Sequence, residues 1–158
     1  MIVIGWLLPR GHTATRAAHF SASPEMVWDA ITDFARFPAW RHNIARVETL
    51  PERDGHSRWV EHDAHNAISY EAVERVPPTG GTPGKMVTRI GPNLPFGGTW
   101  TFELVPAGSG TELRITERGE IYNPIFRFVS LFMSQTKTIE NYLQALGHKF
   151  GETPAITP

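Results

Sequence analysis

Apolar and polar positions alternate most clearly between Gly97 and Ile121. Trp100, Phe102 and Leu104 share one side of a strand, and Thr101 and Glu103 take the other. After a Pro106–Gly110 turn, Leu113 and Ile115 resume the apolar side, so the segment reads as a β-hairpin. The same side then carries a carboxylate, Glu117, and a glycine, Gly119, before Ile121. If Leu104 pairs with Leu113, Trp100 faces Glu117 and Gly98 faces Gly119. A filled core would place aliphatic side chains there. A charge beside two absent side chains on an apolar sheet face reads instead as the lining of a cavity.

The remaining pattern predicts a strand over Thr13–Ala22 and a helix opened by Ser23 as N-cap with Pro24 in its first turn. Val27, Trp28, Ile31 and Phe34 form its apolar face. Pro38 limits Ala35–Trp40 to a turn or a second short helix. Strands follow at Ile44–Leu50, Ser57–Asp63, Asn66–Val76 and Lys85–Ile90. Asn123 and Pro124 open what the spacing predicts to be one long helix reaching Phe150. Its apolar face carries Ile125, Phe128, Val129, Phe132, Ile139, Leu143 and Leu146. The expected organisation is an apolar arm over residues 1–10, one domain over 11–150 and a mobile tail over 151–158. The class is α+β: a curved antiparallel sheet of about seven strands, with two short helices after the first, wrapped around a long C-terminal helix.

Length and charge narrow the function classes. A chain of 158 residues is the size of one domain and buries roughly 70% of its unfolded surface. Net charge is −1, from 15 basic and 16 acidic residues, and no Lys/Arg run offers nucleic acid a footprint. The absence of cysteine excludes disulfides, thiolate metal sites and a Cys nucleophile, and fits a cytoplasmic protein. Met1–Leu8 is apolar but far shorter than the roughly 20 residues of a membrane span. The plainer reading is an arm docked on this domain or a neighbour. The sharper one is the stump of a membrane helix, giving peripheral membrane contact and a membrane-associated location. The oligomeric state stays open between monomer and homodimer.

Five segments carry a resemblance. They are Ser23-Pro24-Glu25-x-Val27-Trp28, Asp33-Phe34-x-x-Phe37-Pro38-x-Trp40 and Trp59-x-Glu61, then Leu94-Pro95-Phe96-Gly97-Gly98-Thr99-Trp100 and Glu117-x-Gly119-Glu120-x-x-Asn123-Pro124. Together they resemble the helix-grip superfamily, also called START or Bet v 1-like (SRPBCC), and within it the bacterial polyketide cyclase/dehydrase-like branch. The resemblance spans roughly Thr13 to Glu152. It implies a hydrophobic cavity for a lipid, polyketide or similar ligand, and no single reaction, since fold alone does not fix function.

Several residues are candidates for the chemistry. Glu117, among Trp100, Phe102 and Ile115, is a general acid/base or a polar anchor, or else a structural ion pair with Arg89 or Arg118. Trp59 and Glu61 share a face. If it is the concave one, Glu61 approaches Glu117; the favoured alternative puts them on the outer face, paired with Lys or Arg. Tyr70 and Tyr122 read as ligand-facing phenols or as core tyrosines with satisfied hydroxyls. The expected ligand-binding set is Trp59, Glu61, Tyr70, Arg89, Trp100, Phe102, Glu117, Gly119, Tyr122, Phe128 and Phe132, with Glu117 and Tyr70 as the catalytic candidates.

Glu61-His62-Asp63-Ala64-His65 gathers metal-capable side chains, but it reads as a solvated turn, and no metal is expected. No phosphate-binding glycine motif joins a strand to a helix, and no cofactor is assigned. His19 alternates with Ala18 and Phe20 and is expected to face outward. Three functions remain open: binding of a hydrophobic small molecule or lipid, a polyketide cyclase/dehydratase-like enzyme, and a membrane-surface or protein-interaction module using the arm.

Overall fold

The structure is a computed structural model, and it describes residues 6–130 and 134–158. Strand β1 (Gly11–Phe20) leads into helix α1 (Pro24–Thr32) and a 3₁₀ helix (Phe34–Ala39). Six strands follow in meander: β2 (Arg46–Arg53), β3 (His56–His62), β4 (Ala67–Val76), β5 (Gly84–Ile90), β6 (Phe96–Ala107) and β7 (Gly110–Ile121). The chain closes with α2 (Pro124–Ser130), α3 (Lys137–Lys149) and a two-residue strand, β8 (Ile156–Thr157). The sheet is antiparallel throughout, in the order β2-β3-β4-β5-β6-β7-β1-β8.

Local chemistry sets these boundaries. The Ser23 hydroxyl accepts a hydrogen bond from the Met26 amide at 3.2 Å, and Pro24 needs no partner for a missing N–H, so α1 starts where the sequence predicts. In the long hairpin Leu104 pairs with Leu113, Trp100 with Glu117 and Gly98 with Gly119, the register that alternation requires.

The predicted single C-terminal helix is in fact two. Ser134, Gln135 and Thr136 are non-helical, and α3 begins at Lys137. Ser and Thr favour helix ends over interiors, and here the Ser134 and Thr136 hydroxyls lie 3.3 Å apart and Thr136 donates to Glu140 at 3.0 Å, although the Thr136 side chain caps no amide of α3. The apolar spacing ran on through this polar stretch and concealed the break. As a result Ile125, Phe126 and Val129 of α2 stand exposed, whereas Ile139, Leu143 and Leu146 of α3 are fully buried.

The last residues also depart from expectation. Ile156 pairs with Ala18 and Thr157 with Ala17, so the tail adds an edge strand to β1. It crosses α3 at Gly147, where a β-carbon would collide with Pro154. At the other end, Trp6 and Leu7 are exposed, while the Leu8 carbonyl accepts from Arg127 of α2 at 3.2 Å. The rest of the apolar arm, residues 1–5, lies outside the described residues. No helix among the described residues is long and apolar enough to cross a membrane.

The core occupies one end of the sheet. Phe20, Leu104 and Leu113 close against Val27 and Ile31 of α1 and against Ile139, Leu143 and Leu146 of α3. Moving along β6 and β7 from Leu104 and Leu113 toward Gly98 and Gly119, the packing gives way to open space.

Candidate ligand-binding site

That space is a cavity of about 380 Å³ between the concave sheet face and α3. Its walls are mostly apolar or aromatic. Ile68, Ile90, Met86 and Phe102 line it from the sheet, Ile31, Phe34 and Phe37 from the helices after β1, and Thr138 and Tyr142 from α3. Phe34 stacks on Trp59 at 3.7 Å, and Trp59 on Tyr70 at 5.7 Å, forming an aromatic slab along one wall. Tyr142 makes edge contacts with Trp40, Trp100 and Phe102 at 5.3 to 5.7 Å.

Glu117 and Glu61 interrupt the apolar lining, while Glu120, the third lining carboxylate, is solvent-exposed. Glu117 uses both oxygens: Oε1 lies 2.7 Å from His12 Nε2, and Oε2 accepts from Trp100 Nε1 at 2.8 Å. His12 pairs across β1–β7 with Gly119, and its ring lies where a β-carbon on residue 119 would be. Gly119 is thus small to admit an imidazole beside Glu117, and not only to hollow the cavity. Glu61 uses one oxygen for two donors: Arg41 Nη1 at 2.9 Å and Trp59 Nε1 at 3.2 Å both reach Oε1. The Arg41 guanidinium also lies over the rings of Phe37 and Tyr142, 4.8 and 5.1 Å from their centroids.

The phenols keep their protons. Burial pushes the Tyr70 hydroxyl up from its ordinary value, and the neighbouring Glu61 charge pushes the same way. Burial also raises Tyr142, whose hydroxyl has no hydrogen-bond partner among the described residues. Tyr70 therefore stays a neutral phenol at neutral pH, a hydrogen-bond donor and not a base.

Of the predicted set, Trp59, Glu61, Tyr70, Trp100, Phe102, Glu117 and Gly119 line this cavity. The favoured outer-face placement of Trp59 and Glu61 is wrong: the β3–β4 register pairs Trp59 with Tyr70 and Glu61 with Ile68 on the concave side. Arg89 does not pair with Glu117. It alternates with the cavity residues Thr88 and Ile90, points to the convex face and binds Glu71 at 3.0 Å. Tyr122 is also outside. It follows the end of β7, is half exposed, and sets its hydroxyl against Gly97 on the outer side. Phe128 is half-buried on α2 and is not a lining residue of the cavity, because α2 is separate from α3. Phe132 lies outside the described residues.

Among the lining residues that sequence reasoning missed are His12, Arg41 and Tyr142. His12 precedes the predicted start of the first strand, and only its pairing with Gly119 signals its place. Arg41 arrives from the turn after the 3₁₀ helix, and Tyr142 sits at a core position of α3. The His62–His65 segment is a turn in which the Asp63 carboxylate accepts from the amides of His65 and Asn66, both at 2.7 Å. Those bonds hold the Asp63 carboxyl below its usual range. His62 lies 3.4 Å from Glu48, and His19 is exposed.

A family model described as "Polyketide cyclase / dehydrase and lipid transport" matches residues 11–148. The chain belongs to this family. Its fold is shared by solved structures of low identity. The Zhui aromatase/cyclase from Streptomyces sp. R1128 is 15% identical, with 86% of this chain and 91% of that one covered, at a TM-score of 0.64. Norcoclaurine synthase from Thalictrum flavum is 11% identical, with 96% and 92% covered, at 0.66. A STAR-related lipid transfer protein from Xanthomonas axonopodis is 18% identical, with 87% and 85% covered, at 0.60. No curated protein matches the chain. The helix-grip, START-like resemblance read from the sequence is borne out, and relatives with such different names leave the ligand of this family member to its own residues.

Proposed function

We propose that this protein binds a hydrophobic small molecule or lipid between the sheet and α3. The observation that carries the reading is the cavity itself, about 380 Å³ walled by aromatic and aliphatic side chains at the Gly98–Gly119 end of a domain whose other end is fully packed. Burying about 200 Å² of apolar ligand surface there contributes about 5 kcal/mol. Glu61, Tyr70 and the His12–Glu117 pair orient the ligand's polar end. Native mass spectrometry of the purified protein, with organic extraction of whatever it carries, tests the reading. A discrete copurifying apolar mass is expected. A clean apo mass together with no uptake of hydrophobic probes sinks it.

A second reading is an enzyme of the cyclase/dehydratase kind, favoured by the 2.7 Å contact between His12 and Glu117. A carboxylate on Nε2 of a neutral imidazole fixes the proton there and leaves Nδ1 as the acceptor, the arrangement of a general base. Tyr70, held protonated, supplies a donor for a developing oxyanion. In this reading Glu117→Gln removes turnover of a β-keto acyl chain while leaving its uptake intact. Turnover that survives the change rules the reading out.

A further inference from the structure

We infer that the cavity selects a ligand whose polar end is a hydrogen-bond donor, an amine above all, and discriminates against carboxylate- or phosphate-headed amphiphiles. The inference rests on the ligand-binding reading above and adds the chemistry of the head group.

The charged groups among the described lining residues are Arg41 and His12 against Glu61, Glu117 and Glu120. Arg41 is matched by Glu61 at 2.9 Å and His12 by Glu117 at 2.7 Å. Whether the imidazole is charged or neutral, no cation among these lining residues is left over for an incoming anion. Arg41 keeps spare N–H groups, but its charge is already matched and its guanidinium lies over two aromatic rings. An acid head brought here would sit beside Glu61 as an uncompensated charge in a desolvated space, which is costly.

An acceptor, in contrast, is waiting. Both donors to Glu61 converge on Oε1, and Oε2 accepts no hydrogen bond from the described residues. Glu61 is only 7% exposed, yet this oxygen is not among the sealed polar atoms, so it opens on the cavity the residue lines. Each Glu117 oxygen already accepts one hydrogen bond, so Glu117 has no oxygen wholly without a partner. An ammonium at Oε2 would form a charge-assisted hydrogen bond with a carboxylate already held in place by Trp59 and Arg41, which favours a cation. Tyr70 samples the same field: beyond burial, the charges of Glu61, Asp63 and Glu117 disfavour its anion and only Arg41 opposes them.

Isothermal titration calorimetry at neutral pH with octylamine, octanol and octanoate decides the matter, because the three share one apolar body. The wild type is expected to bind the amine more tightly than the alcohol and the alcohol more tightly than the carboxylate, with at least about tenfold between the extremes. Glu61→Gln leaves Arg41 unmatched, and the preference is then expected to collapse or invert toward octanoate. Octanoate binding as tightly as octanol, or octylamine no tighter than octanol, overturns the inference while leaving the binding reading intact. If none of the three binds, the binding reading falls and takes this inference with it. Should the Gln variant fail to fold, the wild-type ranking alone decides between these outcomes.

Discussion

Tyr142 is placed by packing, not by hydrogen bonding. Its ring touches Trp40, Trp100 and Phe102, and its buried hydroxyl has no partner among the described residues. Tyr142→Phe keeps every ring contact and removes the unpaired group, so urea unfolding is expected to show unchanged stability or a gain of up to about 1 kcal/mol. A loss larger than that would mean the hydroxyl is bonded in solution. At this scale the sequence was readable wherever side-chain alternation governs. Trp100, Phe102, Glu117 and Gly119 fall on the cavity face because a strand leaves them no other side. It was silent on Arg41, because a turn residue has no periodicity, and on His12, whose meaning depends on which strand lies beside it. Arg89 shows the same limit. Nearness in sequence to an acidic strand suggested a partner, but the pleat turns its side chain to the opposite face, toward Glu71.

Among the elements, α3 and the returning tail constrain one another. Gly147 lies in α3, where alanine is ordinarily favoured over glycine by about 1 kcal/mol. Here a β-carbon runs into Pro154, and the tail would have to lift, losing the pairing of Ile156 and Thr157 with β1. Gly147→Ala should therefore destabilise the full chain by about 1 kcal/mol or more, whereas the same change in a chain ending at Gly151 should stabilise it by about 1 kcal/mol. Chemical denaturation of the four proteins completes the cycle, and the same sign in both backgrounds would dismiss the tail's role. The existence and order of the elements were legible, since cap, turn and alternation signals agreed. The split between α2 and α3 was not, because apolar residues at helical spacing continue up to the short polar stretch Ser134–Thr136, which the apolar pattern does not register.

For the whole molecule, the decisive property is that one sheet serves as packed core at one end and as cavity wall at the other. Ile68 faces the cavity from β4 and is only half-buried, so the wall there has room. Ile68→Trp is expected to fill much of the space, cutting octanol uptake by at least about tenfold in calorimetry with little change in thermal stability. Undiminished uptake would place the ligand elsewhere. The family and its overall architecture were recoverable from sequence because they depend on long, redundant patterns. Whether the cavity is open depends on a few side chains meeting across strands, and that is settled only in three dimensions. The β6–β7 ladder runs the whole length of this contrast, from the Leu104–Leu113 pair with no exposed surface to the Gly98–Gly119 pair with no side chains at all. One continuous row of hydrogen bonds therefore has a stiff end and a soft end. Amide exchange is expected to be slowest near Leu113, where side-chain layers stack over the ladder, and faster toward Gly98 and Gly119, where the His12 ring is the cover on the cavity side, so breathing of the hairpin should concentrate beside the cavity.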